Sequence, residues 1–139
     1  FIVPIGKAEV VREGDDLTIV SIARMRGIAS RVATELEQAG HSVEVIDLRT
    51  VAPRDYATIA RSVQNTSRVV VVDEDTPRCS VASDILGLVA SREFSNLKAA
   101  PQMVTAPHTP VPFAPQLEDF YIPDVSQVVA AALGALGRD

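Results

Sequence analysis

Apolar residues along this chain fall into two alternating patterns: short unbroken runs and stretches at helical spacing. Leu17-Thr18-Ile19-Val20-Ser21-Ile22 is a β-branched run following the turn-forming Glu13-Gly14-Asp15-Asp16, and it predicts a first strand. Ile28, Val32 and Leu36 then recur every four residues with Ala29, Ala33 and Ala39 beside them, the buried stripe of a helix. Gly40 predicts a left-handed stop for that helix, because glycine has no Cβ to clash there. Ser42 to Asp47 predicts a second strand, and Tyr56, Ile59, Ala60 and Val63 mark a second helix. Val69-Val70-Val71-Val72 is apolar throughout, as a strand covered by helices on both faces of a parallel sheet must be. Ser80 is placed to cap a third helix whose inner face is Val81, Ile85, Leu88 and Val89. Gln102-Met103-Val104-Thr105 predicts a further short strand.

The flanks are less regular. Residues 1–14, broken by Pro4 and Gly6, predict an extended linker from a preceding domain, which leaves 15–139 as the folded unit. Five prolines between Ala106 and Pro123 predict a segment that lies extended over the surface, since proline breaks both helices and central strands. Val125 to Leu136 predicts a last helix with Val125, Val129, Ala132, Leu133 and Leu136 on one face. Strands alternating with helices predict an open α/β sandwich, its first three strands parallel with right-handed crossovers.

Composition narrows the function classes. A chain of 139 residues buries one core, and a 47% hydrophobic, 22% charged composition is that of an ordinary globular domain. No apolar run approaches the ~20 residues of a membrane span. The opening Phe1-Ile2-Val3-Pro4 lacks the basic region and cleavage site of a signal peptide, and without an initiator Met the chain is expected to begin inside a longer protein. A net charge of −5, with thirteen basic residues spread among eighteen acidic ones, speaks against nucleic acid as a partner. The single cysteine, Cys79, has no internal disulfide partner, which fits a reducing compartment.

Candidate chemistry is sparse. The turn after the first strand, Ala23-Arg24-Met25-Arg26-Gly27, has one glycine and no phosphate-cradling motif. Asp73-Glu74-Asp75 ends the third strand where carboxylates can hold a magnesium ion, but a receiver-type site also needs acids after the first strand. A solvated or interface-facing loop is the favoured reading. Cys79 precedes a helix start, yet neither His41 nor His108 is spaced to serve it as a base, so a thiol packed as a small hydrophobe is expected. Asp47, Arg49, Arg54 and Asp55 predict a buried or interfacial ion-pair network, each arginine neutralised by an acid close in sequence. His108, between Pro107 and Pro110, is either a plain loop histidine or one presented at an interface.

Several segments, read in order, resemble one family. Gly6 to Val20 resembles the start of the transketolase-type C-terminal domain in β subunits of thiamin-diphosphate-dependent 2-oxo acid dehydrogenases. Val43-Glu44-Val45-Ile46-Asp47-Leu48-Arg49-Thr50-Val51-Ala52-Pro53 is similar to that family's V-E-V-I-D-L-R-T-[LI]-x-P stretch. Ser62 to Asp75, Val104 to Phe113 and Leu117 to Pro123 resemble its later segments. The chain departs from the pattern at Thr76-Pro77-Arg78-Cys79-Ser80, where many members are glycine-rich, and at His108, often an acid.

The resemblance implies a three-layer open sandwich with a mostly parallel sheet of about five strands. It implies an enzyme that decarboxylates pyruvate, a branched-chain 2-oxo acid or an acetoin-type substrate and passes the acyl group to a lipoyl-lysine. Phe120-Tyr121-Ile122-Pro123-Asp124 leans towards the branched-chain type. Thiamin diphosphate and magnesium would be held elsewhere, between an α subunit and an upstream β domain, so no catalytic, cofactor or metal residue is carried over to this chain. The implied partners are the α subunit, a second β subunit in an α2β2 assembly, and a dihydrolipoyl acyltransferase core. The implied location is the cytoplasm in a bacterium or the mitochondrial matrix in a eukaryote. Asp47, Arg49, Arg54, Asp73, Glu74, His108, Phe113 and Tyr121 are the candidate interface residues. The alternatives are another thiamin-dependent transketolase relative and a non-catalytic α/β binding domain. The isolated domain is expected to self-associate through the proline-rich segment and last helix.

Overall fold

A computed structural model describes residues 2–137; Phe1, Arg138 and Asp139, at the outer ends of the expected linker and domain, lie outside the described residues. Five strands order as β1-β3-β2-β4-β5, with β1 Glu9–Arg12, β2 Leu17–Ser21, β3 Val43–Asp47, β4 Val69–Val72 and β5 Gln102–Val104. Strands β2 to β5 are mutually parallel, and β1 runs antiparallel along β3. Helices α1 (Met25–Gln38) and α5 (Val125–Leu136) cover one face, and α2 (Tyr56–Thr66) and α3 (Val81–Arg92) the other. This is the expected three-layer α/β sandwich.

The alternation of side chains along each strand builds two cores. Leu17, Ile19, Val43, Val45, Val70 and Val72 face Met25, Val32, Leu36, Val128 and Ala132. Val20, Val69 and Val71 face Ile59, Val63, Ile85 and Val89. The all-valine β4 is buried at every position, as its unbroken apolar run requires. Gly40 takes φ +89° after α1, the left-handed conformation its lack of a Cβ allows. Ser80 caps α3 by accepting from the Ser83 N–H at 3.2 Å.

Three expectations need correction. The opening segment is not wholly a connector, because Glu9–Arg12 forms an edge strand. Upstream of it the Gly6 N–H donates to Thr50 Oγ1 (3.1 Å) and the Ala8 N–H to Asp55 Oδ2 (3.1 Å), strapping the chain to the β3–α2 loop. The proline-rich stretch is extended only in part, since α4 forms at Pro115–Tyr121 with proline at its start, where a missing N–H costs nothing. On α5, Ala132 is buried with Val128 and Ala135, and Val125, Val129 and Leu136 pack partly against the core, but Leu133 is exposed.

Polar groups also hold the layers. Thr18 Oγ1, on the central strand, lies 2.6 Å from Ser62 Oγ and 2.7 Å from Thr66 Oγ1 of α2, all buried. Arg68 Nε donates to the Ala135 carbonyl at 3.1 Å, tying the entry of β4 to α5. Asp55 caps α2, accepting from the Thr58 N–H and hydroxyl as well as from Ala8. Burial alone would raise its pKa, but these donors and the Lys7 charge together hold the carboxyl below its ordinary value. A depressed folded pKa gives stability that is present above the unfolded value and lost as pH falls through the folded one. Asp55→Ala is therefore expected to cost about 1–2 kcal/mol at neutral pH, and less under acid, in denaturant melts. An equal cost at both pH values would contradict the carboxylate's role.

Glu44 on β3 shows the opposite sign. Burial raises its pKa, the neighbouring Glu13 adds to the rise, and the Ser62 hydroxyl and Gly14 N–H oppose it. A raised folded pKa contributes stability fully present below the unfolded value of about 4.3 and lost as pH climbs through the folded one. Glu44→Gln is expected to melt alongside the unaltered chain under acid and above it at pH 8. Parallel melting curves at the two pH values would refute this.

Candidate functional site

Because β2, β3, β4 and β5 are parallel, the loops after Ser21, Asp47, Val72 and Val104 leave from one edge of the sheet. Asp47, Arg49, Arg54, Asp73, Glu74 and His108 all lie on or beside these loops, so the fold gathers them along that edge. Phe113 and Tyr121 follow on the segment after β5.

The arginines do pair, but with acids remote in sequence. Arg49 binds Glu9 of β1, Arg54 binds Asp84 of α3, and Arg26 Nε reaches Asp47 Oδ2 at 3.5 Å. Asp47 Oδ1 accepts the Arg49 N–H at 3.1 Å, while Asp55 is occupied as the α2 cap. The expected neutralisation by nearby acids is thus corrected: tertiary contacts chose other partners. Among the described residues only one nitrogen of the Arg54 guanidinium is engaged, and its buried Nε and Nη1 have no hydrogen-bond partner.

Asp73 and Tyr121 turn inward. Asp73 Oδ1 accepts the Asp75 N–H (3.2 Å) and Oδ2 the Ala82 N–H (3.4 Å), so its carboxylate shapes the β4–α3 turn. Tyr121 is buried and donates its hydroxyl to the Thr109 carbonyl at 3.2 Å, pinning the proline-rich segment. Glu74 is half-buried and His108 exposed. Cys79 is exposed too, against the expectation of a packed thiol, because a left-handed turn (φ 54°) lifts it just before the Ser80 cap.

Around Tyr121's anchor several large apolar side chains stand in solvent among polar ones. Phe113 is fully exposed and Phe120 is 88% exposed, with Val111 and Leu117 also open to solvent. Leaving two phenylalanines in water forgoes the ~1.5–3 kcal/mol that burying each would gain, the mark of a surface made for contact. The sequence reading selected Phe113 but missed Phe120 and Leu117, whose exposure follows from the unforeseen α4.

The family model for the transketolase C-terminal domain matches residues 6–128. The chain belongs to that family. This transketolase C-terminal domain is 48% identical over 132 residues to the β subunit of acetoin:2,6-dichlorophenolindophenol oxidoreductase of Cupriavidus necator, covering 95% of this chain and 39% of that one. The corresponding subunit of Bacillus subtilis is 42% identical over 99% of this chain and 40% of its own. The mitochondrial pyruvate dehydrogenase E1 component subunit beta-1 of Arabidopsis thaliana is 41% identical over 99% of this chain and 38% of its own. The chain thus spans about two fifths of the curated relatives it matches. Among solved structures, a split-gene transketolase described as an inactive beta4 tetramer superposes with a TM-score of 0.86 at 26% identity, over 99% of this chain and 45% of that one.

Transketolase-type enzymes imply thiamin diphosphate and a divalent metal, and the acids of this domain do not fit the metal. Both oxygens of Asp73, the acid best placed for a metal, are taken by backbone N–H groups. Among the described residues no three His, Cys, Asp or Glu side chains converge as metal ligands.

Proposed function

We propose that this domain is the assembly-forming end of the β subunit of a thiamin-diphosphate-dependent dehydrogenase acting on acetoin or a 2-oxo acid. The observation that carries the reading is 41–48% identity to such β subunits across 95–99% of the chain. In the whole enzyme thiamin diphosphate and magnesium would be held outside this domain and would supply the chemistry of carbon–carbon bond cleavage, with a lipoyl-bearing acyltransferase core as the acyl acceptor.

Its role is to be docked upon by an α subunit and a second β subunit. Phe113, Phe120, Val111 and Leu117 offer the desolvated anchors that subunit interfaces need. The relatives named for acetoin and for pyruvate favour these two substrates over the branched-chain type suggested by residues 120–124. The location follows the source: cytoplasm in a bacterium, mitochondrial matrix in a eukaryote.

The test is to co-produce the full-length β subunit with its α subunit and assay acetoin, pyruvate and a branched-chain 2-oxo acid. The expected result is turnover that requires both subunits, thiamin diphosphate and magnesium, with none from these 139 residues alone. Failure of the two subunits to form a complex would refute the proposal. The likeness to a split-gene transketolase supports a second reading, which turnover of sugar phosphates instead would establish.

A further inference from the structure

We infer that a recess at the carboxyl ends of β2 and β3 is a binding site for a small aliphatic carboxylate. The inference rests on this domain alone and does not use the functional reading above. The recess measures about 640 Å³, the size of small-molecule sites, and lies outside the carboxyl ends of parallel strands, where open α/β sheets place their ligands. Val3, Ile22 and Val51 give it apolar walls, and Arg26 stands at its margin.

Charge decides what it takes. Arg49 is held by Glu9, and Asp47 accepts the Arg49 N–H while Arg26 Nε stands 3.5 Å from its other oxygen. Those three groups satisfy one another. Arg26 is different: it is half-exposed, its one ion-pair contact is the 3.5 Å approach of Nε, and its terminal nitrogens have no partner among the described residues. A guanidinium open along its fork matches the two oxygens of a carboxylate. A doubly charged phosphate is a poorer match, since one open cation and apolar walls leave its second charge uncompensated. An amine is poorer still, because the acids in the lining are already paired. The short aliphatic body of the ligand would lie along Val3, Ile22 and Val51.

The site is also held in shape. Ala23 and Arg49 both line the recess in left-handed backbone conformations (φ 49° and 58°), and the Gly6 N–H to Thr50 bond straps its outer loop. Loops fixed in this way lose little freedom when a ligand arrives.

The test is an NMR titration of the 139-residue chain with acetate, butyrate and 4-methylpentanoate, with inorganic phosphate and isobutylamine as controls. Saturable shifts are expected at the amides of Ile22, Ala23, Arg26 and Val51. Affinity should rise roughly tenfold from acetate to butyrate, as two more methylenes leave water. Arg26→Gln should weaken butyrate at least tenfold while keeping the native spectrum, and Arg31→Gln, elsewhere on α1, should leave it unchanged. Shifts that fail to saturate, phosphate or amine binding as tight as butyrate, or indifference to Arg26→Gln would each overturn the assignment.

Discussion

Replacing Gly14 by alanine is expected to destabilise the domain by about 3 kcal/mol or more, lowering the melting temperature by roughly 10 °C. A Cβ at this buried position would lie 2.2 Å from the Val43 carbonyl carbon and 2.3 Å from the Glu44 nitrogen. Both atoms belong to the backbone of β3, where Val43 and Glu44 are buried and paired with Leu17 and Thr18 of β2, so the strand has little room to yield. The turn between β1 and β2 rests directly on that strand. Gly27→Ala makes the contrasting control. It lies in α1 with nothing within 4 Å of the added carbon, and alanine there should stabilise by about 0.5–1 kcal/mol. Thermal melts of the two variants should move in opposite directions. If Gly14→Ala melts with the parent, the close approach of turn and strand is not real.

The second large effect concerns association. The isolated domain should self-associate as concentration rises, because Phe113 and Phe120 leave two aromatic side chains open to water. Removing an aromatic anchor from an interface costs about 2 kcal/mol, roughly a thirtyfold weakening. Phe113→Ser with Phe120→Ser should therefore give a monomer at concentrations where the parent sediments as a larger species. The same pair, placed in the full β subunit, should impair its assembly with an α subunit. A parent chain that stays monomeric at high concentration would remove these residues from the interface.

Much of the fold was legible because it is local. The apolar runs of β2, β3 and β4 and the stripes of α1 and α2 state their own period, and Ser80 and Gly40 mark helix limits by chemistry that needs no distant partner. What stayed hidden depends on tertiary contact. Glu9–Arg12 is too short and too charged to announce a strand; only pairing with β3 makes it one. Pro115 looked like a helix breaker because its meaning depends on whether it opens a helix or interrupts one. The partners of Arg49 and Arg54 arrive from other elements, so spacing along the chain pointed to the wrong acids. The candidate contact surface was half visible for the same reason: Phe113 stands in an extended stretch, whereas Phe120 is displayed by a helix that pattern did not reveal.

The hydroxyl trio of Thr18, Ser62 and Thr66 has a consequence for distant parts of the molecule. Hydrocarbon surfaces in contact tolerate a helix sliding along its axis, since one methyl group substitutes for another. One oxygen on β2 meets two on α2, at 2.6 and 2.7 Å, at a single axial setting, so they act as a detent that stops α2 from creeping over the sheet. Asp55 and the loop before it hang from the amino end of that helix, and their alignment is thereby decided at its far end, one side-chain oxygen at a time.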